Sequence, residues 1–280
     1  MTSSATRIAL GIWSALVLAF LWIPLLVIAL YAFNGPTLPK WPISDWTFHW
    51  FTVAWHSTAR EALVLSLKVG AVSTVIALIL GTMAAAAVAR YRFFGREAVS
   101  FLLVLPLALP GIITGLALNS FFAYAGISVS TWTIVVGHAT FCVVVVYNNV
   151  VARLRRTSGS LIEASQDLGA DGWQTFRFVL WPVLSTALVA GGLLAFALSF
   201  DEVIVTTFTA GLQQTLPLFI WDNLRQGQQL PVVNVVAFFV IAVTVIPVAL
   251  AQRVMRDTGI IRRGAAQVTE AVEAAEIPAI

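Results

Sequence analysis

Charge is scarce in this sequence: Asp, Glu, Lys and Arg make up 10% of its 280 residues, against 59% hydrophobic. A water-soluble domain of this length does not sustain such a balance. The single cysteine, Cys142, excludes a disulfide within the chain. The three histidines, His49, His56 and His138, fall in no metal-ligand spacing. No G-x4-G-K-[ST] run offers a phosphate cradle, so the chain has no ATP-hydrolysing site of its own. No serine occupies a G-x-S-x-G elbow. An enzyme is therefore not expected, and neither is a cofactor.

Long apolar runs are what the chain does have. Mean hydropathy is +0.91, and about 20 apolar residues suffice to cross a hydrocarbon core about 30 Å thick. Six segments qualify: Ile8 to Phe33, Ala62 to Ala89, Val99 to Phe122, Thr131 to Val151, Phe178 to Val205 and Val232 to Ala251. The expected fold is all-α, a polytopic membrane protein with six transmembrane helices surrounded by lipid. The first run is too long for a signal-peptide core and lacks a small-residue cleavage site, so it reads as a retained span. Residues 1–61 hold that span and an outer loop, residues 62–255 a five-helix core, and residues 256–280 a disordered tail with no Lys or Arg after Arg263.

Lys and Arg orient the spans, because positively charged loops stay in the cytoplasm. Arg7 precedes the first span, and Arg90, Arg92 and Arg96 lie between the second and third. Arg153, Arg155, Arg156 and Arg177 lie between the fourth and fifth, and Arg253, Arg256, Arg262 and Arg263 follow the sixth. Both termini are accordingly expected in the cytoplasm. The net charge of +3 records topology, and no nucleic-acid partner is expected.

The loop at 152–177 is the best-signalled polar stretch. Ser160 with Glu163 and Asp171 with Gln174 fit capping boxes, and Gly169 suits the left-handed turn that ends a helix. A short helix near Leu161 to Leu168, a turn and a second helix from Gly172 are expected. Leu161, Ala164 and Leu168 share one face, and Trp173, Phe176 and Leu180 another. Pro182 should bend or restart the chain. By local physics alone the two pieces either lie on the bilayer, cover the bundle or dock a partner.

The run Glu163-Ala164-Ser165, then Asp167 and Gly169, with Pro182 thirteen residues after the glycine, resembles the E-A-A-x3-G-x9-I-x-L-P signature of permease subunits of binding-protein-dependent ABC importers. Val179 stands in the Ile place, Ser165 replaces the second Ala and Trp181 the Leu. Tyr91-Arg92-Phe93 with Gly95, the run Gly137 to Cys142, the run Phe200 to Val203 and Thr215-Leu216-Pro217 extend the resemblance from about Ile43 to Met255. Together they are similar to the spermidine/putrescine permeases, particularly the second-encoded type. The resemblance implies a type I ABC importer (MetI-like) fold in the bacterial inner membrane. It also implies a second homologous permease subunit, a cytoplasmic ATPase dimer docked on a coupling helix at Glu163 to Gly169, and an extracytoplasmic substrate-binding protein. Relatives of this class also import aminophosphonates and ferric ions. An ion-coupled secondary carrier is the competing class, but no internal repeat supports it.

Two further places bear on a substrate path. An intramembrane carboxylate costs about 2.5–3.5 kcal/mol on insertion scales unless it meets water, a counter-ion or substrate, and Asp201 with Glu202 follows an apolar stretch. Asp201 is the favoured contact, falling on the first acid of the family's paired-acid segment; the alternatives are a water-interface position or pairing with Lys68 or Arg225. The outer loop carries Pro36, Pro39 and Pro42, then Trp41, Trp46, Phe48, Trp50, Phe51 and Trp55, an aromatic interface belt on composition. Asp45 is expected to cap a short helix there. The resemblance adds that Trp50 gates or lines the outer mouth, where its ring can meet an ammonium group. Span three, with Pro106, Pro110, Gly111 and Gly115, reads as a broken helix. Gly70, Ser73, Ala77 and Gly81 form a close-packing stripe in span two.

Overall fold

A computed structural model describes residues 4–38, 40–91 and 93–243. Among them the structure is helical throughout, apart from one isolated bridge between Asn34 and Trp46. Four helices are long and apolar enough to cross a membrane. They are α1 (Ser4–Tyr31), α3 (Thr58–Arg90), α6 (Thr131–Arg155) and the 30-residue stretch Gly172–Asp201 that ends in α9 (Trp181–Asp201). A further span is interrupted: α4 (Arg96–Ala108) and α5 (Gly111–Tyr124) meet at 104°. The break falls at Leu109 and Pro110, as expected for span three, whereas Pro106 stays inside α4. The expected sixth span begins in α12 (Leu230–Val243), and its remainder, with the basic cluster from Arg253 and the tail, lies outside the described residues.

The chain divides into two compact units, residues 1–55 with 229–280 and residues 56–228. In the first, α1 leads into a loop closed by backbone bonds from Gly35 N to Asp45 O and from Thr47 N to Phe33 O. Helix α2 (His49–His56) follows. Its first amide, that of His49, donates to Thr47 Oγ1 at 3.0 Å. The expected Asp45 cap is thus replaced by Thr47, because Asp45 is held back by its own backbone bond to Gly35 and lies four residues before the helix. Phe33 and Phe51 pack with Phe238 and Phe239 of α12, and Phe48 packs on Phe33 and Phe51, with centroid separations of 5.1–6.1 Å across the cluster.

Helix α6 is the axis of the second unit. In its most apolar 18-residue stretch 72% of residues are buried, against 28% for α3 and 33% for Gly172–Asp201. Runs such as Val143 to Val146 favour strands in water; in lipid each backbone group has to pair within its own segment, and a helix does this. Helices α3 and α9 both pack on α6 and on each other. Gly70, Ser73, Ala77 and Gly81 of α3 are all buried as expected, Gly70 against Phe196 of α9 and Ser73 and Gly81 against α6. A Cβ at Gly81 would lie 2.9 Å from both Val143 O and Val146 Cβ of α6, so only glycine admits this approach. Ser73 Oγ donates to Val135 O at 3.1 Å and ties the same pair together.

Gly81→Leu is expected to destabilise the unit by about 1–3 kcal/mol, the usual penalty for overpacking. Thermal unfolding of detergent-purified protein measures this; an unchanged midpoint would contradict the close α3–α6 contact.

Candidate functional site

Two polar places interrupt the apolar bundle of the second unit. The first is the loop joining α6 to α9. Helix α7 (Gly159–Asp167) starts at an N-cap formed by Ser158, whose hydroxyl accepts from Ser160 N at 3.3 Å. The expected Ser160–Glu163 capping box therefore does not form: the helix begins earlier, Ser160 lies inside the first turn, and Glu163 stays exposed. The end of α7 follows expectation. Gly169 has φ +83°, its amide donates to Gln166 O at 2.8 Å, and Ala170 N donates to Ser165 O at 3.0 Å. These are the two bonds of a Schellman motif.

The next piece opens with the expected Asp171–Gln174 box. Gln174 N donates to Asp171 Oδ1 at 2.8 Å and Asp171 N to Gln174 Oε1 at 3.0 Å, starting α8 (Gly172–Gln174). Thr175–Leu180 is then π-helical and runs directly into α9, with Pro182 in its first turn. Trp181 N bonds back five residues to Phe176 O. Widening the helix just ahead of Pro182 accommodates a ring with no N–H that would crowd the carbonyl four residues back. The restart expected at Pro182 is thus a change of hydrogen-bond register.

Ser165, which departs from the E-A-A pattern, is buried. Its hydroxyl donates to Ile162 O at 2.8 Å and meets Thr175 Oγ1, also buried, at 2.9 Å. The short helix is pinned in this way to the π-helical stem of α9. The outward side stays open. Glu163, Ala164, Asp167 and Gly169 are exposed, as are Leu161, Trp173 and Leu168, the last at 88%. An apolar face held rigidly on a polar loop is what a partner helix or groove would cover.

The second place is a break between α9 and α10 (Ile204–Thr209). The fifth span was expected to run to Val205, but α9 stops at Asp201 and Glu202 is extended, with ψ 116°. The Glu202 carboxylate turns onto the new helix and accepts from Val205 N at 2.9 Å. Threonines repair the rest: Thr206 Oγ1 donates to Glu202 O at 2.7 Å and Thr207 Oγ1 to Val203 O at 2.8 Å. Asn119 Nδ2 of α5 donates to Phe208 O, and Thr133 Oγ1 of α6 to Thr209 O. Glu202 is thereby committed to holding the chain. Asp201 is exposed, and among the described residues it makes no ion pair with Lys68 or Arg225.

His138 is buried against both sides of this break, within 2.8 Å of Ser199 Oγ and of Thr206 Oγ1. His138 thus bonds across helices. Thr140 and Asn149 instead bond within their own helix, to Gly137 O and Val145 O. Ser158, Thr175, Ser199 and Thr206 were not anticipated; the one available signal was Ser199 and Thr206 seven residues apart on either side of the acidic pair. Trp50 belongs to the first unit, where its indole N–H donates to Gly35 O at 3.1 Å and the side chain is half-buried. That bond gives Trp50 a structural duty in closing the outer loop.

Apolar spans, a rigid exposed loop and a polar break inside a span together define a polytopic membrane transport subunit. Residues 77–258 match the family model described as "Binding-protein-dependent transport system inner membrane component". The spermidine/putrescine transport system permease protein PotC of Haemophilus influenzae is 31% identical over 243 residues, covering 86% of this chain and 93% of that protein. The putrescine transport system permease protein PotI of Escherichia coli K12 is 33% identical over 233 residues, covering 79% of this chain and 82% of that one. Among solved structures, a chain of a bacterial ABC transporter that imports the acidic polysaccharide alginate superposes with a TM-score of 0.68 at 18% identity. That match covers 90% of this chain and 98% of the other, and it shows the importer-permease fold expected from the loop signature. The chain belongs to the family of inner membrane components of binding-protein-dependent transport systems. It is a transport subunit of the bacterial inner membrane and not an enzyme.

Glu202→Ala is expected to lower stability by about 1 kcal/mol, the typical value of a lost N-cap. Glu202→Gln keeps an acceptor oxygen and should unfold at nearly the wild-type midpoint. Thermal unfolding in detergent tests both; equal midpoints for Ala and wild type would remove the capping role.

Proposed function

We propose that the chain is one of two homologous permease subunits of an ATP-driven importer that carries polyamines into the cytoplasm. A cytoplasmic ATPase dimer would supply the energy and an extracytoplasmic binding protein the cargo. The observation that carries the substrate assignment is the 31% identity to a spermidine/putrescine permease across 86% of the chain. The physical chemistry supports it. A di- or triammonium chain needs carboxylates to offset its loss of water, and Asp201 is the exposed acid at the break while Glu202 is engaged in capping. Trp50, in the other unit, offers a ring face to an ammonium group.

The loop is the coupling element. Its Schellman turn and capping box make α7 a stiff handle, and the Ser165–Thr175 contact passes its displacement to the stem of α9. Movement of α9 carries the break with it. Alternating access needs contacts that differ between two states, and the exposed face of Leu161, Ala164 and Leu168 is available for contacts that follow the ATPase through its cycle.

Gly169→Asp puts a side chain at φ +83°, where an L-residue costs about 1–2 kcal/mol, and projects a charge from the handle. Membrane levels should hold while spermidine uptake falls roughly tenfold or more and ATP hydrolysis by the assembled transporter continues. Wild-type uptake would defeat the coupling assignment. Asp201→Asn is expected to depress uptake about tenfold and Glu202→Gln by much less, since the latter preserves the cap. Initial rates in proteoliposomes decide this, and negligible effects of both would discard a pathway role for the pair.

A further inference from the structure

A neutral imidazole on α6 spans the break between α9 and α10 and so governs the only segment of the described fifth span that is not helical. We propose that His138 is a positioning residue for substrate transfer: it fixes the length and direction of the Asp201–Val203 break, and thereby where the Asp201 carboxylate points. The proposal rests on the polyamine reading only for the nature of the cargo.

Hydrogen bookkeeping assigns the state of the ring. Thr206 Oγ1 gives its one proton to Glu202 O at 2.7 Å, so toward His138 it accepts, and Nε2 carries the proton. In the neutral ring Nδ1 then holds the lone pair, and Ser199 Oγ, 2.8 Å away, is its donor. Both ring nitrogens are satisfied in a site where the side chain is 1% exposed, as a buried polar group requires. Ser199 belongs to the last turn of α9 and Thr206 to α10.

Those two hydroxyls are seven residues apart. On an unbroken helix they would share a face at a separation of roughly 10 Å along the axis. One ring bonded to both therefore gauges the break: completing the helix across Glu202 and Val203, or lengthening the gap, takes one hydroxyl off the imidazole. The threonine and glutamate bonds repair the backbone locally, from within residues 202–209. His138 instead ties both flanks to α6, the most buried helix of the unit. Asp201 lies between the two tethered residues and has no tether of its own in the described structure.

The test uses the complete transporter in proteoliposomes. Asp201→Cys provides a thiol for a membrane-impermeant maleimide, against low background because Cys142 is fully buried. Leu212→Cys, on a fully exposed loop position, is the control. His138→Leu is expected to change labelling at position 201 tenfold or more with no change at position 212. His138→Gln, whose amide retains one donor and one acceptor, should return it to within threefold of wild type. With Asp201 intact, His138→Leu should raise KM for labelled spermidine about tenfold with a smaller effect on maximal rate, and His138→Gln should again restore it. If His138→Leu fails to accumulate in membranes, Ser199→Ala and Thr206→Val each remove one tether and should shift labelling in the same direction.

Unchanged labelling and KM in all of these variants would overturn the inference, as would complete protection of position 201 in the parent. Asp201→Cys forms that label as expected, together with a wild-type transporter that does not carry spermidine, would defeat the polyamine reading and leave the positioning role standing on the labelling result.

Discussion

A backbone N–H or C=O inside a bilayer has no water to bond, so each interruption of a spanning helix has to be repaired by the protein itself. Much of this structure consists of such repairs. At Pro110 two amides of α5, those of Ile113 and Thr114, turn back to the Pro110 carbonyl. Ahead of Pro182 the ladder shifts to a π register and no bond has to be left open at the ring. Between α9 and α10 a glutamate carboxylate and two threonine hydroxyls take over, and His138 of α6 holds both flanks. The repairs differ in kind: the first two are made by the backbone, and the third recruits side chains from neighbouring helices. The third therefore couples its own geometry to the rest of the bundle.

Close packing makes that coupling effective. Helix α6 is valine-rich and so presents stiff, branched surfaces, against which α3 brings a stripe of glycine, serine and alanine. Without a hydrophobic driving force between helices in lipid, contact area and occasional hydrogen bonds hold the bundle together. Ser73 to Val135, Thr133 to Thr209 and His138 to Ser199 and Thr206 are bonds of this type, all centred on α6.

The loop at 159–174 illustrates how far local chemistry reaches. The Asp171–Gln174 box and the glycine turn at 169 are short-range arrangements with strong residue preferences, and both were legible in the sequence. The start of α7 was displaced because Ser158 and Ser160 are both acceptable caps, and the choice depends on where the chain leaves α6 at Arg156. The serine in place of the second alanine looked like a blemish in the motif. It acquires a meaning only beside Thr175, ten residues away and across a turn.

Composition and periodicity alone determined that this is a helical membrane protein, where most of its spans lie and where its longest capped polar loop falls, because those properties depend on the neighbouring residues and on the solvent. The pattern of residues in the run from Phe178 to Val205 is apolar and continuous, and nothing local ends the helix at Asp201. The tertiary structure holds that end, through an imidazole on another span that bonds both flanks. It also separated two acids that look equivalent in sequence, engaging Glu202 as a cap and leaving Asp201 exposed. The physical reason is that a buried polar group is satisfied by whatever lies beside it in space, and partners 60 to 90 residues away in the chain leave no mark on the local pattern.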